Sequence, residues 1–147
     1  MTAWEVRYSV GNEHNPSDPW GRSELTLRAD RTAWLDHFFS RGPGIGTWTG
    51  RVDPAALDAL WAGLDRAGFP AEPSGPLVAG ATLRRLTTVV DGVTRQASVE
   101  WRKAASLPGY AEAFDILDGV IRQLSGEAVP YPSTQPPIVS SIEALGA

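Results

Sequence analysis

Residues 52–70 read Val-Asp-Pro-Ala-Ala-Leu-Asp-Ala-Leu-Trp-Ala-Gly-Leu-Asp-Arg-Ala-Gly-Phe-Pro, one helix with both ends marked. Asp53 is placed to accept hydrogen bonds from the first-turn N–H groups, and Pro54 stands where its missing N–H costs nothing. Leu57, Leu60, Trp61 and Leu64 recur at helical spacing and make one apolar stripe. Gly68 suits the left-handed position after the last turn, and Pro70 prevents continuation. A helix so bounded sets the frame for the strands on either side.

Upstream, Trp4, Val6, Tyr8 and Val10 alternate with polar residues, the period of a half-buried strand. Residues 11–19 are a dense run of turn formers. Leu25, Leu27 and Ala29 alternate again, Ala29-Asp30-Arg31 makes a tight turn, and residues 32–39 form a third strand with mixed faces. Trp34, Asp36 and Phe38 fall on one side of it, and Leu35, His37 and Phe39 on the other. Residues 47–52 form a fourth strand that leads into the helix.

Downstream, 81–90 and 93–101 are strand-like runs separated by Asp91-Gly92, the signature of a hairpin with a type I′ turn. Tyr110, Phe114, Leu117, Ile121 and Leu124 then trace the stripe of a second helix, from about 109 to 124. The expected fold is α+β: a mostly antiparallel sheet of about six strands, with two amphipathic helices packed on one face, in the order β-β-β-β-α-β-β-α. One domain is expected over 1–126. Residues 127–147 hold four prolines and read as a tail without a core of its own, packed back on the body or on a partner.

Composition removes several classes of function. The chain has no cysteine, so disulfides, thiolate nucleophiles and Cys-based zinc sites are excluded. Formal net charge is −4, against the clustered Lys and Arg of a general nucleic-acid binder. No window reaches the roughly 20 apolar residues that cross a bilayer. The N-terminus lacks the apolar run of a signal peptide, so a cytoplasmic protein is expected.

Residues 47–125 resemble the emfourin family of small bacterial protease inhibitors. The likeness lies in the Asp53 to Leu60 pattern, in Ala67-Gly68-Phe69-Pro70, in the hairpin centred on Val90-Asp91-Gly92-Val93, and in the closing helix. It implies a two-helix, antiparallel-sheet body and inhibition of a thermolysin-like protease. No inhibitory residue is carried over.

No catalytic set stands out, and no metal or cofactor is expected. Gly-x-Ser-x-Gly is absent, and the glycines of 42–46 lead into a strand without the Lys and helix N-terminus of a phosphate loop. Six tryptophans and many arginines point instead to a binding protein whose partner is another protein, an inhibitor or immunity-type module. It would use a sheet face or the loops at 11–20 and 40–46. Trp20, Trp34, Trp48, Arg84, Arg95 and Trp101 are the candidate contacts, with Trp4 and Trp61 read as core. The alternative is a small-molecule binder or enzyme whose polar groups are His14, Asp18, Asp36 and His37. Asp36 and His37, adjacent on a strand, cannot pair with each other. A third reading is a homo-oligomer whose tail exchanges onto a neighbour.

Overall fold

The computed structural model describes residues 3–11, 21–40, 44–73, 82–131 and 138–141. Strands β1 (Trp4–Gly11), β2 (Arg22–Arg28), β3 (Thr32–Phe38) and β4 (Ile45–Val52) precede helix α1 (Pro54–Ala67). Strands β5 (Leu83–Val90) and β6 (Val93–Glu100), the single turn α2 (Trp101–Ala104), helix α3 (Tyr110–Leu124) and the short β7 (Val139–Ser141) follow. The fold is the expected α+β class. The antiparallel sheet runs β6-β5-β1-β2-β3-β4-β7, so six long strands are joined by a seventh of three residues.

The first helix forms where its signals place it, with one difference at the start. Asp53 is the N-cap, but its side chain makes no capping bond. Its carbonyl instead accepts from the Ala56 and Leu57 N–H groups at 3.1 and 3.2 Å. At the other end Gly68 takes φ 74, and Phe69 N–H reaches back to the Leu64 carbonyl at 3.0 Å. Asp91 and Gly92 take φ 49 and 81, as a type I′ turn requires. The hairpin ends one residue earlier than expected, because Trp101 opens α2 instead of closing β6.

Alternation along β1, β2, β3 and β5 puts one side of the sheet into the core. Val6, Tyr8 and Val10 of β1 face the same way as Leu25 and Leu27 of β2, Ala33 and Leu35 of β3, and Leu86 of β5. Leu57, Leu60 and Leu64 of α1 and Tyr110, Phe114, Leu117 and Ile121 of α3 join them in a single buried cluster. The helices approach closely where side chains are missing. A Cβ on Gly109, at φ 85, would lie 2.4 Å from the Ala67 nitrogen, and one on Gly63 would lie 3.0 Å from the Gly109 carbonyl. Trp4 and Trp61 pack edge to face against this core, with ring centroids 5.4 Å apart.

The edge of the fold does not fall at residue 126. Val129, Tyr131 and Ile138 are buried, and β7 pairs antiparallel with Gly50–Val52 of β4. Gln123 of α3 anchors this return by accepting from the Ile138 and Val139 N–H groups at 2.6 and 3.2 Å. The proline-rich composition does not keep Val129, Tyr131 and Ile138 out of the core. No helix among the described residues is long and apolar enough to cross a membrane.

Candidate functional site

The two sides of the sheet carry different chemistry. On the helix side, one row across the strands reads His37, Ser23, Val10, Arg84, Val99, from β3 through β2, β1 and β5 to β6. Three of these five are polar, and all are buried. Arg84 Nη1 is 2.8 Å from Asp118 Oδ2 of α3, and the Tyr8 hydroxyl donates to Asp118 Oδ1 at 2.8 Å. Arg84 also donates to the Tyr8 oxygen and lies 3.8 Å from the centroid of the Trp101 ring. Burial pushes the Asp118 carboxyl above the usual range, against the pull of Arg84, and the Tyr8 hydroxyl well above its ordinary value, with Asp118 adding to the effect. Burial works against the Arg84 charge, but Tyr8 and Asp118 outweigh it and hold the guanidinium protonated.

The second half of the row centres on Ser23. Its hydroxyl is 2.7 Å from His37 Nδ1 and 3.1 Å from the Tyr131 hydroxyl. The Tyr131 ring in turn tilts against Trp101, with centroids 5.6 Å apart. A hydroxyl beside an imidazole is the arrangement of an activated nucleophile. Here Ser23 and His37 are both 0% exposed, so the pair faces the interior and braces Tyr131.

Among the described residues, no helix packs on the other side of the sheet. Trp34 is 49% exposed and Ile45 is 62% exposed, although each sits within a regular strand. The Trp34 indole N–H donates to Asp36 Oδ2 at 3.1 Å, and the Thr47 hydroxyl donates to Asp36 Oδ1 at 2.7 Å. Both carboxylate oxygens of Asp36 are therefore engaged in fixing the indole. Phe38 stands opposite Ile45 and carries the Arg22 guanidinium 4.3 Å from its ring centroid. The polar residues that surround Trp34 come from β1, β2 and β4: Arg7, Thr26 and Thr49 in its own row, with Arg28 and Arg51 one pleat further along.

No known family model matches this chain, and no curated protein matches it either.

The sequence candidates separate accordingly. Trp34 and Asp36 come together on the open face. Arg84 does not join them, because its position in the alternation turns it inward, where it is buried against Asp118. Trp48 also faces the helix side; its indole lies over Gly46, where a Cβ would come within 2.4 Å of the ring, and it is half-buried beside Phe39. Trp101 is half-buried between Arg84 and Tyr131. Arg95 is exposed, opposite Thr88 on the helix side. Trp20, His14 and Asp18 lie outside the described residues. His37 and Asp36 point to opposite faces, as the strand period requires. Among the described residues, no cluster of three or more His, Asp and Glu side chains is arranged to hold a metal.

Ser23, Tyr131, Tyr8 and Asp118 are among the interior polar residues to which the sequence reading gives no polar role. Two had a visible signal. Ser23 interrupts the buried alternation of Leu25 and Leu27, and Asp118 stands four residues after Phe114 on the apolar side of α3.

Proposed function

We propose that this chain is a non-enzymatic protein-binding module of the inhibitor or immunity type, and that it meets its partner with the uncovered face of β2–β4. One observation carries the reading: Trp34, the largest exposed side chain among the described residues, is held by Asp36 and Thr47 in a single orientation on a face that the described helices leave open. A side chain ordered before contact loses less rotamer freedom on binding, and Trp is enriched among residues that dominate interface energies. Phe38 and Ile45, adjacent across β3 and β4, extend the apolar area, with Arg22 stacked at its margin. The buried row on the opposite side supports the sheet and presents no group to a ligand.

A photo-crosslinking amino acid placed singly at 38, 45 and 102 in the source cell tests this. The expected result is one partner protein captured from positions 38 and 45, not from 102, and lost when the 45 version also carries Trp34→Ala. Capture that is equal from all three positions, or unaffected by Trp34→Ala, counts against the open face as the binding surface.

A further inference from the structure

We infer that the partner surface is acidic, an extended protein segment whose carboxylates meet Arg28 and Arg51, which stand on the two strands beside β3, one pleat along from Trp34. This rests on the open-face reading above and adds the chemistry of the partner. The chain as a whole is acidic, yet its charges segregate by layer. The outer side of α1 and α3 carries Asp58, Asp65, Glu112 and Asp115 against Arg66 and Arg122. The open face of β1–β4 carries Arg7, Arg22, Arg28 and Arg51 against Glu5, Glu24 and Asp36.

The carboxylates of that face are already engaged. Asp36 is taken up by Trp34 and Thr47, and Glu24 by Arg22. Glu5 is shared between Arg7 at 2.6 Å and Arg28 at 3.4 Å, one carboxylate for two guanidinium groups whose side chains are 62% and 66% exposed. Arg51 makes no direct ion pair among the described residues. Its field and that of Arg28 do reach Asp30, whose carboxyl is held below its usual range first by hydrogen bonds from Thr32 and then by these arginines. Arg28, opposite Glu5 on β2, and Arg51, opposite Thr32 on β4, therefore lie in one row a pleat beyond the indole, with Glu5 bonded to Arg28 and Asp30 within the field of both.

A strand-like segment presents alternate side chains on one face at roughly 7 Å spacing. Arg28 and Arg51 stand two strand spacings apart, roughly 10 Å, so two carboxylates on such a segment come within reach of the two long side chains while an apolar neighbour meets Trp34. A nucleic acid suits the face less well, because Glu24 and Asp36 interrupt the cationic track that phosphates need.

Three twelve-residue peptides distinguish the outcomes. Each has a central Phe, flanked by Asp and Glu, by Ser, or by Lys; dT12 is the fourth probe. The readout is the shift of the Trp34 indole N–H signal in the 15N-labelled full chain, assigned with Trp34→Phe. The acidic peptide should bind at least tenfold tighter than the Ser peptide. That gap should close at 0.5 M NaCl and in Arg28→Gln/Arg51→Gln. Unchanged indole signals from Trp4 and Trp61 show that this variant remains folded. Equal affinity for the acidic and Ser peptides overturns the acidic partner and leaves the open-face reading standing. Preference for the Lys peptide or for dT12 overturns it in favour of a different partner chemistry. Silence of the Trp34 signal with every probe at millimolar concentration also overturns it, and crosslinking at position 45 with and without Trp34→Ala then decides the broader reading on its own.

Discussion

Removing the Asp118 carboxylate should be among the most damaging single changes in this protein. The pair it forms with Arg84 is nearly dry, with side chains 5% and 10% exposed, so solvent screening does little to soften the loss. Asp118→Leu strands a buried guanidinium, a change that costs about 3–5 kcal/mol in buried pairs. Arg84→Met strands the carboxylate and should cost a similar amount. Replacing both leaves the Tyr8 hydroxyl without these partners, about 1–3 kcal/mol, and takes a long 3.4 Å donor from the Trp101 carbonyl; adding Tyr8→Phe should recover most of the first loss. For 147 residues the unfolding entropy is roughly 0.3 kcal/mol/K, so each kcal/mol moves Tm by about 3 °C. Either single variant should therefore melt roughly 10–15 °C below the parent, and the triple variant within about 5 °C of it. Calorimetry and denaturant unfolding of the four proteins read this directly. A triple variant as unstable as the singles would refute the account, since the damage would then come from lost packing and not from an uncompensated charge.

Four further outcomes follow from the same geometry. Gly109→Ala should destabilise by more than about 2 kcal/mol, because strain at positive φ adds to a backbone clash, whereas Gly92→Ala, with open space around it, should cost only about 1–2 kcal/mol; paired urea midpoints check the contrast. Ser23→Ala takes a partner from both His37 and Tyr131 and should cost about 1–3 kcal/mol in the same assay. Ending the chain at 126 removes the burial of Val129, Tyr131 and Ile138, about 1.5–3 kcal/mol each. That sum is comparable to the whole stability of a typical domain, so the truncated chain should lose its sharp tertiary circular dichroism signal. Glu112 accepts from its own N–H and from that of Gly109, which lowers its carboxyl in the folded state. Its contribution is present above the unfolded carboxylate value and lost as pH falls through the lowered one. Glu112→Gln should therefore flatten the acid limb of the stability profile and leave the alkaline limb unchanged.

The elements carried by local rules were open to sequence reading. Pro54 and Gly68 bracket α1, Asp91-Gly92 turns the hairpin, and the Tyr110-to-Ile121 stripe lies against the sheet, because each depends on residues a few positions apart. The interior ion pair was not, for a physical reason. Arg84 and Asp118 each look like an ordinary surface charge until two elements 34 residues apart are packed together. Two charges of opposite sign, each intruding on an otherwise apolar face, were the clue available. For the C-terminal segment, composition left open whether it packs on the body or on a partner and set the domain edge at 126, while Tyr131 is held in the core of the body by a hydroxyl on β2. On the open face, Trp34 and Asp36 were foreseen on one side of their strand. Arg28 and Arg51 acquire meaning only from the register of three neighbouring strands.

β1 is hydrogen-bonded on one side to β2, its successor along the chain, and on the other to β5, which arrives only after α1 has been completed. That seam joins an N-terminal meander to a C-terminal hairpin and helix in one fixed register. Two molecules can trade the later portion across it, each β1 receiving the other's β5 through the same bonds that close a single copy. Crowded refolding is the condition that favours such interlocked pairs. Once formed they should survive dilution, because separation requires unzipping the middle of the sheet.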